Sequence, residues 1–294
     1  MITAPAAPVD IFNPIFEQTV TPTGQATSSN ITTSDTLGIY LQDQVTLAEN
    51  LKLLVGGRFD TFSQDRTDRI VDEDTSQSDT AFSPRIGIVY QPSPAISLYA
   101  SYARSFTPTI GTSADRQAFV PERGTQYEIG VKADINSRLS ATLALYDLTR
   151  SNVTTSDPDN PFFQIQTGEQ RSQGIELDMS GEILPNWNIV LGYAYNDARV
   201  TEDNSIPEGN RLRNAPQHAL NLWTTYKIQQ GDLQGLGFGL GFNYIDDRPG
   251  DLENTFEIPS YFRTDAAVFY ERDQFRASLN FRNLFDIDYF ASAR

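Results

Sequence analysis

Residues Gly235–Tyr244 read Gly-Leu-Gly-Phe-Gly-Leu-Gly-Phe-Asn-Tyr, a strict alternation of two kinds of residue. Successive side chains of a β-strand point to opposite faces. Leu236, Phe238, Leu240, Phe242 and Tyr244 therefore share one face, and Gly235, Gly237, Gly239, Gly241 and Asn243 the other. A soluble sandwich buries its apolar face and shows water a polar one, but here the second face is nearly bare glycine. Other runs keep the same period. Tyr127, Ile129, Val131, Ala133 and Ile135 oppose Glu128, Gly130, Lys132 and Asp134, and Phe275, Ala277, Leu279 and Phe281 oppose Arg276, Ser278, Asn280 and Arg282. Charges on the second face call for water there, so these strands suit a wall between lipid and water.

About twelve such runs follow one another: 36–47, 50–62, 80–91, 96–106, 124–135, 138–149, 162–181, 187–200, 218–228, 235–245, 261–272 and 275–283. Few open sheets hold so many strands without curling or closing. Short turns near 48–50, 92–95, 136–137, 184–186, 229–234 and 271–274 alternate with long polar loops at 63–79, 107–123, 150–161, 201–217 and 246–260. One end of the sheet is thus tidy and the other elaborate, the asymmetry of outer-membrane barrels. Residues 1–35 read as an irregular Pro/Thr/Ser-rich lead-in and 36–294 as the barrel portion.

Composition narrows the function classes. Mean hydropathy is −0.40, and no apolar run approaches the roughly 20 residues of a spanning helix, whereas a spanning strand needs only about 9–11. A net charge of −16 argues against a nucleic-acid partner. Cysteine is absent, which excludes disulfides and thiolate metal sites. Met1–Pro8 shows neither the basic nor the apolar region of a signal peptide.

No catalytic constellation stands out, and the chain is not expected to be an enzyme. His218, the only histidine, reads as the start of a strand. Glu176 and Asp178 lie on one strand face, where a glycosidase needs opposed carboxylates. The glycines at 235–241 do not open a helix as a phosphate loop would. Asp65, Asp68, Asp72, Glu73 and Asp74 lack the glycine and final glutamate of an EF-hand and read as a solvated loop.

Several blocks resemble the TonB-dependent outer-membrane receptors, in that family's order: Asp10–Pro14 (DIFNP), Gly38–Gln44 (GIYLQDQ), Gly56–Asp60 (GGRFD), Pro121–Lys132 (PERGTQYEIGVK), Arg171–Leu177 (RSQGIEL), Arg211–Trp223 (RLRNAPQHALNLW) and Asn283–Phe290 (NLFDIDYF). The first block points to the siderophore-receptor branch. The resemblance implies an all-β fold, an antiparallel transmembrane β-barrel of about 22 strands plugged by an N-terminal domain. About twelve are expected here, the tenth to the twenty-first, without the plug, the TonB-contacting box or the last strand. The implied function is uptake of ferric siderophores across the cell outer membrane with energy from TonB, a ferrichrome-type hydroxamate being the expected cargo. Iron travels as the chelate, so no cofactor is expected. The expected partners are the ferric siderophore, outer-membrane lipid and lipopolysaccharide, and the TonB complex only through a plug.

Ligand contacts are expected from the long loops and the upper lumen, where aromatic and donor side chains would hold a compact chelate. By position and type these are Phe106, Arg116, Phe119, Phe162, Phe163 and Tyr244. A passive porin-like barrel and a soluble β-rich binding module are the alternatives.

Overall fold

The computed structural model describes residues 29–70, 72–160 and 162–293. The block Asp10–Pro14, like the lead-in before residue 29, lies outside them. Twelve strands form one antiparallel sheet: β1 (Asn30–Ala48), β2 (Leu51–Asp68), β3 (Glu73–Ser93), β4 (Ile96–Thr107), β5 (Glu122–Asn136), β6 (Leu139–Ser156), β7 (Gln164–Leu184), β8 (Trp187–Glu202), β9 (His218–Lys227), β10 (Leu236–Ile245), β13 (Tyr261–Arg272) and β14 (Phe275–Phe281). Two two-residue strands, β11 (Arg248–Pro249) and β12 (Glu257–Ile258), pair inside the connection from β10 to β13. Each strand of the large sheet neighbours the strands before and after it among the twelve, a plain meander. All twelve expected strands are present.

Their extents differ from expectation on the long-loop side. β1 starts at Asn30, six residues before the alternation predicts. β2 and β3 run through most of 63–79, with 69, 70 and 72 the only described residues between them, and β6 continues to Ser156. Asp65, Asp68 and Asp74 thus sit on strands rather than in a loop. Polar residues on both faces look like a loop in sequence. A ladder standing in water on both sides is polar on both faces yet pairs equally well, and it is rich in β-branched threonine. β7 begins at Gln164, two residues later than predicted.

The described residues divide into two compact units, 29–39 with 59–70 and 72–82 in one and 40–58 with 83–160 and 162–293 in the other. In the first, the Arg69 amide donates to the Ser29 carbonyl (2.7 Å) and Gln64 Nε2 to Ser34 Oγ (2.8 Å). Phe62 and Ala81 are buried there beside Asp60 and Gln64.

The second unit carries the registers that define its two faces. Leu98, Val131, Leu143, Leu177, Tyr193, Leu220, Tyr244 and Phe262 are successive cross-strand partners from β4 to β13. One residue along each strand, Ser97, Lys132, Thr142, Asp178, Gly192, Asn221, Asn243 and Arg263 form the matching row on the other face. Leu143, Leu145, Ile129, Phe238 and Leu240 of the apolar face are exposed. Such a continuous apolar surface far exceeds what soluble monomers show to water. No helix of the described residues is long and apolar enough to span a membrane, which leaves the strands to do it.

Candidate functional site: the polar face and the loop end

On the polar face, aromatic rings lie over glycines of the adjoining strand. Tyr99 stands opposite Gly130, Tyr146 opposite Gly174, Trp223 opposite Gly241 and Phe269 opposite Gly237. A Cβ on Gly130 would come within 2.5 Å of the Tyr99 ring, and one on Gly241 within 2.5 Å of Trp223. These glycines let large rings lie against the wall. Tyr99 Oη donates to Glu128 Oε1 (2.8 Å) and Gln126 Nε2 to Glu128 Oε2 (2.9 Å). Tyr146 Oη and Ser172 Oγ both donate to Asn196 Oδ1, at 3.1 and 2.6 Å. Near the short turns, Glu182, Asn188, Trp223, Lys227, Phe269 and Arg276 help line a cavity of about 520 Å3.

At the opposite end the connections brace one another. Gln166 of β7 grips Val120 of the β4–β5 loop, accepting from its amide (2.7 Å) and donating to its carbonyl (2.6 Å), while Asn152 Nδ2 donates to the Pro121 carbonyl (3.0 Å). Arg150 pairs with the buried Glu122 beside this junction. In the β8–β9 loop, Asp203 Oδ1 accepts from Thr155 Oγ1 (2.7 Å) and from the amides of Ser205 (2.8 Å) and Ile206 (3.0 Å). Burial pushes the Asp203 carboxyl up, and these hydrogen bonds outweigh it, leaving it below the usual carboxylate range.

The block 283–290 folds back over β13. Asn283, at positive φ, closes a turn by accepting from the Ile287 amide (3.1 Å) and donating to its carbonyl (2.9 Å), and its own amide donates to Asp265 Oδ1 (2.8 Å). Arg263 chelates Asp265 and donates to Tyr289 Oη (3.2 Å), which draws the Tyr289 hydroxyl below its ordinary value. The Tyr289 ring packs 4.5 Å from Tyr261. Buried Arg248 donates to the Phe290 (2.7 Å) and Ala291 (2.9 Å) carbonyls, and Asn214 exchanges hydrogen bonds with Ala293. A clasp thus joins the β8–β9 loop, the β10–β13 connection and the C-terminal segment. Sequence reasoning passed over all four: Asn214 and Tyr289 lie inside the recognisable blocks, whereas Arg248 and Arg263 lie outside them and carried no such signal.

The six residues predicted to contact ligand do not converge. Phe106 and Tyr244 belong to the apolar face, in line with Leu98 and Tyr102 and with Leu240 and Phe242; proximity to a loop could not override the strand alternation that aims them away from the lumen. The Tyr244 hydroxyl is spent on Asp246 Oδ1 (2.9 Å). Phe119 is buried against Gly111 within its own loop, so it packs rather than presents itself. Arg116 is exposed at a positive-φ turn. Phe162 is 99% exposed and Phe163 46%, side by side at the β6–β7 connection. His218 lies on the apolar face with Nδ1 2.9 Å from Tyr193 Oη, and among the described residues no group of acidic or histidine side chains is placed to hold a metal ion.

An antiparallel meander with one continuous apolar face, one polar face and its elaborate connections gathered at one end is the wall of a transmembrane β-barrel. The chain belongs to the TonB dependent receptor-like, beta-barrel family, whose profile matches residues 4–284, and its barrel is one of the outer membrane. It is 38% identical over 291 residues to the metal-pseudopaline receptor CntO of Pseudomonas aeruginosa strain UCBPP-PA14, covering 96% of this chain and 41% of that protein. The ferrichrome outer membrane transporter/phage receptor of Escherichia coli K12 is 34% identical, with 87% and 35% covered. The siderophore receptor PiuA of Acinetobacter baumannii superposes with a TM-score of 0.80 at 30% identity, over 88% of this chain and 40% of that one. The chain therefore spans about two fifths of the relatives it matches. These relatives are receptors and transporters.

Proposed function

We propose that this chain supplies wall and loop platform to an outer-membrane receptor that takes up a ferric siderophore, and that it performs no catalysis of its own. The observation that carries this reading is the pairing of a lipid-type outer face with braced polar loops, in a chain whose relatives include a ferrichrome transporter and a ferrioxamine B receptor. The loops capture the chelate first. Arg116 offers a guanidinium to an anionic or carbonyl-rich chelate, and Phe162 and Phe163 offer apolar cover for its organic shell. Phe106, Phe119 and Tyr244 serve the wall and loop packing instead. Energy would come from TonB, acting through a plug rather than through this sheet, and iron enters only as cargo.

The test is uptake of radiolabelled iron as ferrichrome or ferrioxamine B by cells that carry or lack the gene. Accumulation that needs both the gene and TonB supports the reading. Equal accumulation without the gene, for these and a panel of other ferric chelates, contradicts it.

A further inference from the structure

Arg116 and the Phe162–Phe163 pair sit on two different connections, and one side chain holds those connections together. Arg116 stands at the tip of a small hairpin between β4 and β5. There Thr112 bridges Ala118, the Ser113 amide donates to the Gln117 carbonyl (2.9 Å), and the Phe119 amide donates to the Gly111 carbonyl (3.0 Å). Phe162 and Phe163 end the turn between β6 and β7. Asp157 Oδ1 accepts there from the amides of Asp159 (2.9 Å) and Asn160 (3.1 Å), and the Phe163 amide donates to the Asn160 carbonyl (2.8 Å). Each tip is thus closed by its own hydrogen bonds. What fixes one against the other is Gln166, on β7 just past Phe163.

The Gln166 carboxamide meets Val120 as a neighbouring strand would, taking up both its amide (2.7 Å) and its carbonyl (2.6 Å). Its Nε2 also donates to the Asn152 carbonyl (3.0 Å). Around Asn152 the register of β6 against β7 shifts, and Asn152 itself has φ 60°. Such irregularities re-aim side chains, and asparagine tolerates a left-handed φ. Asn152 Nδ2 is thereby brought to the Pro121 carbonyl (3.0 Å). Two carboxamides from one connection stitch down the exit of the other.

We infer that Gln166 is a positioning residue for capture, holding Arg116 and the Phe162–Phe163 pair as the two halves of one preformed site. The guanidinium meets the oxygen-rich part of a ferric chelate and the two rings meet its organic shell. The inference rests on the proposed uptake and adds to it the device that sets affinity. A site whose halves are already fixed binds without an ordering cost, and cutting the stitch leaves that ordering to the ligand. Capture then weakens although every group that touches the chelate remains.

The test is the concentration dependence of radiolabelled iron uptake, as ferrichrome and as ferrioxamine B, by cells carrying the receptor or its Gln166→Ala variant. The variant loses the bonds to Val120 and Asn152, so KM is expected to rise about fivefold or more while the maximal rate per receptor is unchanged. Asn152→Gly suits the positive φ and removes the bond to Pro121, and it should raise KM by less. A smaller rise in Gln166→Ala, or a fall in maximal rate at constant KM, overturns the inference. Nitroxide labels at positions 114 and 159 of the purified, ligand-free receptor read the stitch directly. Their distance distribution should be narrow in the otherwise unmutated receptor and broader in Gln166→Ala; equal widths overturn the inference too. An unmutated receptor that takes up no ferric chelate sinks the uptake reading and the capture role together. Normal uptake with KM unmoved in Gln166→Ala sinks the positioning role alone.

Discussion

Gly130 has no room for a side chain, because the Tyr99 ring occupies the space its Cβ would take. Gly130→Val should lift that ring off the wall, break the Tyr99–Glu128 bond and cost about 1–3 kcal/mol as overpacking does; an unchanged urea midpoint in micelles would contradict this. The glycine stripe was plain in the sequence, but its use was not, since only the registers reveal which ring covers which glycine. Asp203 gives a pH signature. Its folded carboxyl lies below the ordinary value of about 4, so its bonds to Thr155 and to the Ser205 and Ile206 amides stabilise the loop above that pH. That contribution is lost as pH falls through the lowered value. Exchange of the two amides, corrected for intrinsic chemistry, should therefore accelerate on acidification in the wild type. In Asp203→Asn, whose oxygen still accepts but carries no charge, exchange corrected for intrinsic chemistry should stay flat.

Strands were legible as elements because the alternation survives wherever one face meets lipid. The polar ends of β2, β3 and β6 were not, because water on both faces erases the contrast on which the reading depends. Phe106 and Tyr244 show the converse: both stand near a loop, yet the alternation assigns them to the apolar face. The two faces of one element should respond differently to charge. Leu240→Arg on the apolar face of β10 should cost about 2–4 kcal/mol in vesicle-reconstituted protein, whereas Ser278→Arg on the polar face of β14 should cost far less. Equal urea midpoints for the two would count against the assignment of faces. The clasp is likewise an element-scale claim. Asn214→Ala removes both its bonds to Ala293, so hydrogen exchange at 288–293 should rise while β10 keeps its protection. Unchanged exchange there would show that Arg248 and Arg263 hold the segment without it.

At the scale of the whole molecule, the polar cluster at the loop end was beyond sequence reasoning because its members come from segments far apart in the chain. Arg248 meets Phe290 across 42 residues and Asn214 meets Ala293 across 79. Membership of the receptor family was within reach, since ordered blocks survive from Gly38 to Phe290. Both rest on one geometric premise, that the row from Leu98 to Phe262 meets acyl chains while the row from Ser97 to Arg263 meets water.

Single nitroxide labels at positions 143, 189 and 240, and at 142, 188 and 278, in the receptor reconstituted into lipid vesicles, put that premise to trial. The first three should relax strongly with dissolved oxygen and weakly with a water-soluble nickel chelate, and the second three should not share that lipid signature. Labels at 143, 189 and 240 that respond to the nickel chelate and not to oxygen would contradict the barrel wall, and with it the receptor.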